Sequence, residues 1–140
     1  MFRRILDSEH CIPELLSSLR FTTSGAAPCP WELVETWRKK TGLKIVRGYG
    51  MSELFRPVCY TPNDDIETPD AVGHAAKGVS LKIVDANGKE LDVKQSGELW
   101  IKTESCMTGY LNSIEETNAV IEDGWFKTGD LATISAEGLV

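Results

Sequence analysis

Residues able to do chemistry are concentrated between Lys44 and Glu53, in the run Lys-Ile-Val-Arg-Gly-Tyr-Gly-Met-Ser-Glu. Ile45-Val46 reads as a short apolar strand that breaks at Gly48 and Gly50, with Tyr49 between them. Glycines at a strand end let a ligand approach the backbone closely, and in open α/β sheets ligands lie beyond the carboxyl ends of the strands. Ser52 and Glu53 follow at once. The stretch therefore offers a flat ring, free backbone groups, a hydroxyl and an anion, the set that a nucleotide with a bound metal needs. Two further places fit the same chemistry. Ser24-Gly25-Ala26-Ala27-Pro28 follows a predicted strand with small residues. Asp130, after Gly129, offers a carboxylate able to accept hydrogen bonds from the two hydroxyls of a ribose. Taken alone, the first also reads as a plain strand-to-helix turn, and Thr128-Gly129-Asp130 as a simple turn.

The elements that must position these groups follow from patterning. Residues 1–19 read as helical and amphipathic, with Phe2, Ile5 and Leu6 on one face, Leu15, Leu16 and Leu19 on another, and Pro13 between the groups. Leu19 to Thr23 is a predicted strand. A helix is expected from about Pro30 to Lys40. Pro30 suits its first turn, Glu32 the positive end of the dipole, Arg38, Lys39 and Lys40 the negative end, and Gly42 the stop. Leu33, Val34 and Trp37 form its buried stripe. Strand, helix, strand within about 30 residues is a βαβ unit, which brings the Ser24–Pro28 and Gly48–Glu53 loops to one sheet edge.

Residues 61–70 are polar with two prolines and read as a surface loop, near a subdomain boundary. Val79 to Asp85 and Gly97 to Lys102 are predicted strands, with a hairpin signal at Asn87-Gly88. Trp100 and Ile101 read as packing residues. Ser113 and Glu116 have capping-box spacing for a helix ending near Gly124, and Leu131 to Ile134 reads as a last strand. The fold class is α/β: a partial parallel βαβ layer over 1–60, then a small β-rich subdomain over 61–140.

Bulk properties narrow the function. The chain has 140 residues, 41% hydrophobic and 26% charged, a length suited to one domain with a real core. Its 15 Lys and Arg against 21 Asp and Glu give a net charge of -6, which argues against a nucleic-acid or anionic-membrane surface. Cys11, Cys29, Cys59 and Cys106 are widely spaced, without Cys-x-x-Cys pairs or a histidine cluster. They read as reduced thiols of a cytoplasmic protein. The amino terminus has no apolar core of signal-peptide length, and no run is long enough to span a membrane.

In combination the motifs resemble the adenylate-forming superfamily, which includes acyl-CoA synthetases, aryl-CoA ligases, luciferases and peptide-synthetase adenylation domains. Ser24–Pro28 is similar to the family's small-residue loop, Tyr49–Glu53 to its Tyr-Gly-x-Thr-Glu motif, and Gly97–Ile101 to its Gly-Glu-Leu/Ile-x-Val/Ile strand. Gly109-Tyr110-Leu111-Asn112 is similar to its Gly-Tyr-x-Asn turn. Gly124 to Asp130 matches Gly-Trp-x-x-Thr-Gly-Asp. The resemblance implies that a carboxylic acid attacks the α-phosphate of Mg-ATP, and that a thiol, usually coenzyme A, then displaces AMP. Carried over by motif, Glu53 holds Mg²⁺, Ser52 touches the α-phosphate, Tyr49 stacks on adenine, and Asp130 binds the ribose. Gly25, Ala26, Ala27, Gly48, Gly50 and Met51 line the nucleotide. Ser52 stands where the family more often has Thr, and Gly73-His74-Ala75-Ala76 replaces a more usual Gly-x-Pro-like turn. Arg56 and Phe55 are candidates for the acyl pocket, against a plain reading of Arg56 as an exposed residue at a helix start. His10 and His74 read as structural or surface residues.

The family's phosphate loop is expected well upstream, and its Gly-Arg-x-x-Asp hinge and lysine-bearing domain downstream. The sequence contains neither, so it is expected to be a central fragment of a larger carboxylic acid–CoA ligase, inactive alone. Two alternatives stay open: a truncated, non-catalytic nucleotide-binding or interaction module, and part of an adenylation domain that loads a carrier protein.

Overall fold

The computed structural model describes residues 1–11, 13–65 and 68–140. Ile12 of the predicted first helical segment, and Ile66 and Glu67 of the predicted loop, lie outside the described residues. Among the described residues, eight strands form two four-stranded sheets. The first contains β1 (Thr22–Ser24), β2 (Ile45–Met51), β3 (Phe55–Cys59) and β4 (His74–Ala75), in that order. The second contains β5 (Ser80–Val84), β6 (Gly97–Lys102), β7 (Ile121–Glu122) and β8 (Trp125–Ala132), in the order β5-β6-β8-β7.

The βαβ unit is present. β1 and β2 pair in parallel from Thr22↔Ile45 to Ser24↔Arg47, joined through the helix α2 (Trp31–Thr41). Helix α2 begins after Pro30, carries Glu32 in its first turn and three cations in its last, and stops at Gly42 with φ 73°. That left-handed stop suits a residue without a Cβ. Val34 and Trp37 are buried on its inner face, and Trp37 meets Phe2 edge-on at 4.9 Å. Phe2 belongs to a short helix, α1 (Phe2–Leu6), which with Cys11, Trp37 and Ile45 forms one apolar cluster.

Several sequence expectations are corrected. The amino-terminal helix is only α1 followed by a 3₁₀ turn at Pro13–Leu16, and Leu15 and Leu19 are exposed. Five helical residues followed by Pro13 leave no continuous stripe to bury. β2 does not break at Gly48. It runs through both glycines to Met51 because it gains an antiparallel partner, β3, that the sequence reading missed. Arg56 therefore lies on a strand, not at a helix start. Ser113 precedes α3 (Ile114–Val120) but makes no side-chain capping bond. Instead the Thr117 hydroxyl donates to the Ser113 carbonyl at 2.8 Å. α3 ends at Val120, and Asp123-Gly124, both at positive φ, turn β7 into β8. β8 starts six residues before the predicted Leu131 because pairing with β6 carries it through Thr128-Gly129-Asp130.

The second sheet is antiparallel throughout. Its inner face buries Ile83, Leu99, Ile101 and Phe126, and Leu54 from the β2–β3 turn enters the same cluster. The Asn87-Gly88 signal corresponds to a turn in which the Asp85 carboxylate accepts from the backbone N–H of Asn87 and Lys89, at 2.8 and 2.9 Å.

Candidate functional site

The parallel pairing of β1 and β2 puts both strand ends side by side. A Cβ added at Gly25 would stand 3.5 Å from the Gly48 carbonyl oxygen, so the two loops abut. Between them lies a cleft of about 860 Å³. Ser24, Ala26, Ala27 and Pro28 line one wall and Gly48, Tyr49, Gly50 and Met51 another. Asp130 and Leu131 of β8 close it from the second sheet. Seven of the residues expected from sequence thus share one cleft: Ala26, Ala27, Gly48, Tyr49, Gly50, Met51 and Asp130. Gly25, Ser52 and Glu53 are not among the lining residues, and Ser52 and Glu53 lie in the tight turn between β2 and β3.

Gly48 and Gly50 also serve the packing of β3. A Cβ at Gly50 would come 2.0 Å from the Phe55 carbonyl oxygen, and one at Gly48 would come 2.5 Å from Nε of Arg56. Their missing side chains make room for β3 and the Arg56 guanidinium. Tightness there is set by strand packing, and both glycines line the cleft as well. Ala26 lies in the left-handed region at φ 63°, an uncommon conformation for a residue with a Cβ, directly on the cleft wall.

Polar groups converge across the two sheets. The Tyr49 hydroxyl donates to Oδ2 of Asp130 at 2.5 Å, joining residues 81 positions apart. Burial, and then the Asp130 carboxylate itself, push the Tyr49 phenol well above its ordinary pKa. Asp130 is exposed on the cleft side, and its backbone N–H is held by the Thr128 hydroxyl at 3.1 Å. Thr128 in turn donates to the Leu99 carbonyl at 2.7 Å, and the Gly129 N–H donates to Glu98 at 3.0 Å, so β6 fixes the loop that presents Asp130. Glu53 is half-buried, and Oε1 accepts from the Tyr110 hydroxyl at 3.1 Å. Loss of surrounding water, and then the Glu53 carboxylate, raise the Tyr110 phenol pKa.

The sequence reading missed part of the wall: Arg47, Asp70, Ala71, Val72 and Leu131. Asp70 is at φ 61° and follows Pro69 at the end of the polar loop, a position that reads only as a turn. Arg47 is buried, donates to the Thr68 carbonyl at 2.6 Å, and stacks over Trp31 and Tyr60. Phe55 is exposed, and neither it nor Arg56 lines the cleft. His74 is exposed and meets Tyr60 edge-on at 6.3 Å, and His10 is a surface residue. No helix among the described residues is long and apolar enough to cross a membrane.

Comparison with known proteins gives concordant matches. The model of the AMP-binding enzyme family matches residues 1–111. The chain is 29% identical over 140 residues to a long-chain-fatty-acid–CoA ligase of Yersinia pestis, covering 100% of this chain and 25% of that protein. It is 41% identical over 120 residues to luciferin 4-monooxygenase of Photinus pyralis, covering 84% of this chain and 22% of the other. Among solved structures, apo MatB from Rhodopseudomonas palustris superposes with a TM-score of 0.94 at 33% identity, covering 99% of this chain and 28% of that one. The chain spans about a quarter of the length of the curated relatives it matches.

Proposed function

The chain belongs to the AMP-binding enzyme family, and from that premise we propose that it forms the nucleotide-binding face of an ATP-dependent acid–thiol ligase. The ligase joins a carboxylic acid to AMP and then passes the acyl group to a thiol such as coenzyme A. The observation that carries this reading is the cleft itself. Two parallel strand ends and a carboxylate from the other sheet meet there around one aromatic ring.

In this reading Tyr49 offers its ring face to adenine, with the Ala26–Ala27 backbone beside it. Asp130 accepts hydrogen bonds from the ribose hydroxyls. Its second carboxylate oxygen remains available for this, since Tyr49 engages Oδ2. Ser52, exposed in the β2–β3 turn, donates its hydroxyl to the α-phosphate, where negative charge develops as the acid attacks. Glu53 fits a hard divalent cation: one half-buried carboxylate with a single phenol on Oε1. Mg²⁺ commonly takes one or two protein carboxylates together with substrate phosphates. When bound, Mg²⁺ screens the phosphate charge that otherwise repels the incoming carboxylate. The hydroxyl of Ser52 and the carboxylate of Glu53 are thus the proposed catalytic pair, and Gly25, Gly48, Gly50 and Met51 shape the wall.

Calorimetric titration of the chain with AMP and with Mg-ATP tests this. AMP should bind weakly, and Asp130→Asn should weaken it at least about tenfold, as expected for loss of a hydrogen bond to a charged group. Glu53→Gln should weaken Mg-ATP and leave AMP unchanged. Equal loss of both nucleotides in Glu53→Gln would refute the metal role, and AMP binding indifferent to Asp130→Asn would refute the ribose role.

A further inference from the structure

The Gly109-Tyr110-Leu111-Asn112 turn has so far no part in the chemistry, yet it delivers the one side chain hydrogen-bonded to the Glu53 carboxylate among those described. Tyr110 lies 57 residues from Glu53 in sequence and reaches it from the connection between β6 and α3. The rest of that connection grips the same turn. The Met107 N–H donates to the Glu53 carbonyl at 2.7 Å, and the Ser105 hydroxyl donates to the Leu54 carbonyl at 3.0 Å. Three bonds therefore tie the 105–110 segment to residues 53 and 54.

Tyr110 is itself held from behind. Its backbone N–H donates to the buried Thr117 hydroxyl at 2.9 Å, and that hydroxyl donates onward to the Ser113 carbonyl. Gly109 permits this approach. It is at φ 153°, and a Cβ there would come 2.9 Å from Cγ2 of Thr117. A relay thus runs from α3 through Thr117 and Tyr110 to one oxygen of Glu53. A phenol on Oε1 restrains the carboxylate and leaves Oε2 to face a ligand. Without that phenol, the half-buried Glu53 side chain would have several rotamers of similar energy.

We propose that Tyr110 is a positioning residue for Glu53, and that it orients the carboxylate so that Oε2 meets a divalent cation carried in with the nucleotide triphosphate. The inference rests on the metal role of Glu53 proposed above, and the test separates the two. Mg-ATP and AMP are titrated into the 140-residue chain and its Tyr110→Phe and Glu53→Gln variants. Tyr110→Phe keeps the ring and removes only the hydroxyl. It should weaken Mg-ATP roughly three- to tenfold, the size of one ordinary hydrogen bond, since the phenol acts on the cation only through Glu53, and leave AMP within about twofold. In Glu53→Gln, adding Tyr110→Phe should cost nothing further for Mg-ATP.

A Tyr110→Phe chain that loses both nucleotides alike would show a merely structural role and overturn the proposal. So would a Tyr110→Phe chain that keeps full Mg-ATP affinity while Glu53→Gln loses it; in that case the metal role of Glu53 stands. If Glu53→Gln has no selective effect on Mg-ATP, the metal role fails and this inference falls with it. A measurement on the unsubstituted chain needs no folding of a variant. Mn²⁺ added with ATP should broaden the Tyr110 ring resonances before those of Tyr60, which packs in the separate Val46 and Ala71 cluster. Broadening of Tyr60 first would also overturn the proposal.

Discussion

The two sheets of this chain are built on different terms, and the cleft depends on the difference. The second sheet is wholly antiparallel and rests on one apolar cluster. Its outer face carries Lys82 between the rings of Trp100 and Trp125, at 4.6 and 4.4 Å, a cation–π arrangement that covers the tryptophans with a flexible stem. The first sheet contains the parallel pair, only three residues long, and its apolar packing is divided between the Trp37 and Val46 clusters. Parallel pairs are somewhat weaker per residue and need a crossover. What they gain is that consecutive strands end at the same edge, which is where the cleft lies. The first sheet thus supplies a surface. The second sheet supplies Asp130, and the connection after β6 supplies Tyr110, the groups that reach across to Tyr49 and Glu53. Leu54 is the joint, a residue of the first sheet's turn fully buried in the second sheet's cluster.

The largest test of this contrast is Trp37→Ala. Trp37 is 1% exposed and packs edge-on against Phe2. Truncating a buried tryptophan costs about 3–5 kcal/mol. Because Trp37 and the second sheet's cluster share no residue, hydrogen exchange should accelerate in α2, β1 and the start of β2, while amides of β5, β6 and β8 stay protected. A uniform loss of protection would mean that the two sheets open as one unit and that the contrast is geometric only.

A smaller effect sharpens the role of the glycines. Gly50→Ala places a Cβ 2.0 Å from a backbone carbonyl of β3, which cannot yield as a side-chain tip can. Overpacking of this kind costs about 1–3 kcal/mol. Gly25→Ala meets its nearest atom at 3.5 Å, an ordinary contact, and should change the melting temperature little. If Gly25→Ala proves the more damaging of the two, the tight point is the loop contact between β1 and β2 rather than the β2–β3 hairpin.

How much of this was legible in the sequence follows the same divide. The βαβ unit was readable because α2 carries its own start and stop: Pro30, an acidic first turn, a basic last turn and Gly42. β6 was readable from its apolar run after Gly97. β3 was not, because Pro57 argues against a strand, and only the structure shows its carbonyl accepting from Ala76 in a sheet whose order comes from distant pairing. The candidate site residues were picked out one motif at a time, through resemblance. Their convergence was not: no spacing rule joins Tyr49 to Asp130 or Glu53 to Tyr110, since those contacts are set by how the second sheet packs on Leu54. The glycines were legible as close approaches to a cleft, and that β3 and Arg56 also approach them was not.

The smallest effect tests how firmly the folded chain holds the Tyr49 proton between the two sheets. The phenols of Tyr49, Tyr60 and Tyr110 are all raised above their ordinary value, Tyr49 by burial first and by Asp130 second. An unfolded tyrosine titrates near pH 10. The folded chain then holds the Tyr49 proton more tightly than the unfolded chain does. Its contribution to stability is full below about pH 10 and is lost as pH rises above it, because the unfolded state gives up its proton first. Denaturant titrations between about pH 9 and 11 should show stability falling with pH, and less steeply in Tyr49→Phe, which has no phenol to ionise. Tyrosinate absorbance should rise at higher pH in the folded chain than in the unfolded chain. If Tyr49→Phe declines as steeply as the parent, the phenol ionises as easily folded as unfolded. The burial of Tyr49 and its bond to Asp130 would then add nothing to stability at high pH, leaving Leu54 and the grip on residues 53 and 54 to join the sheets.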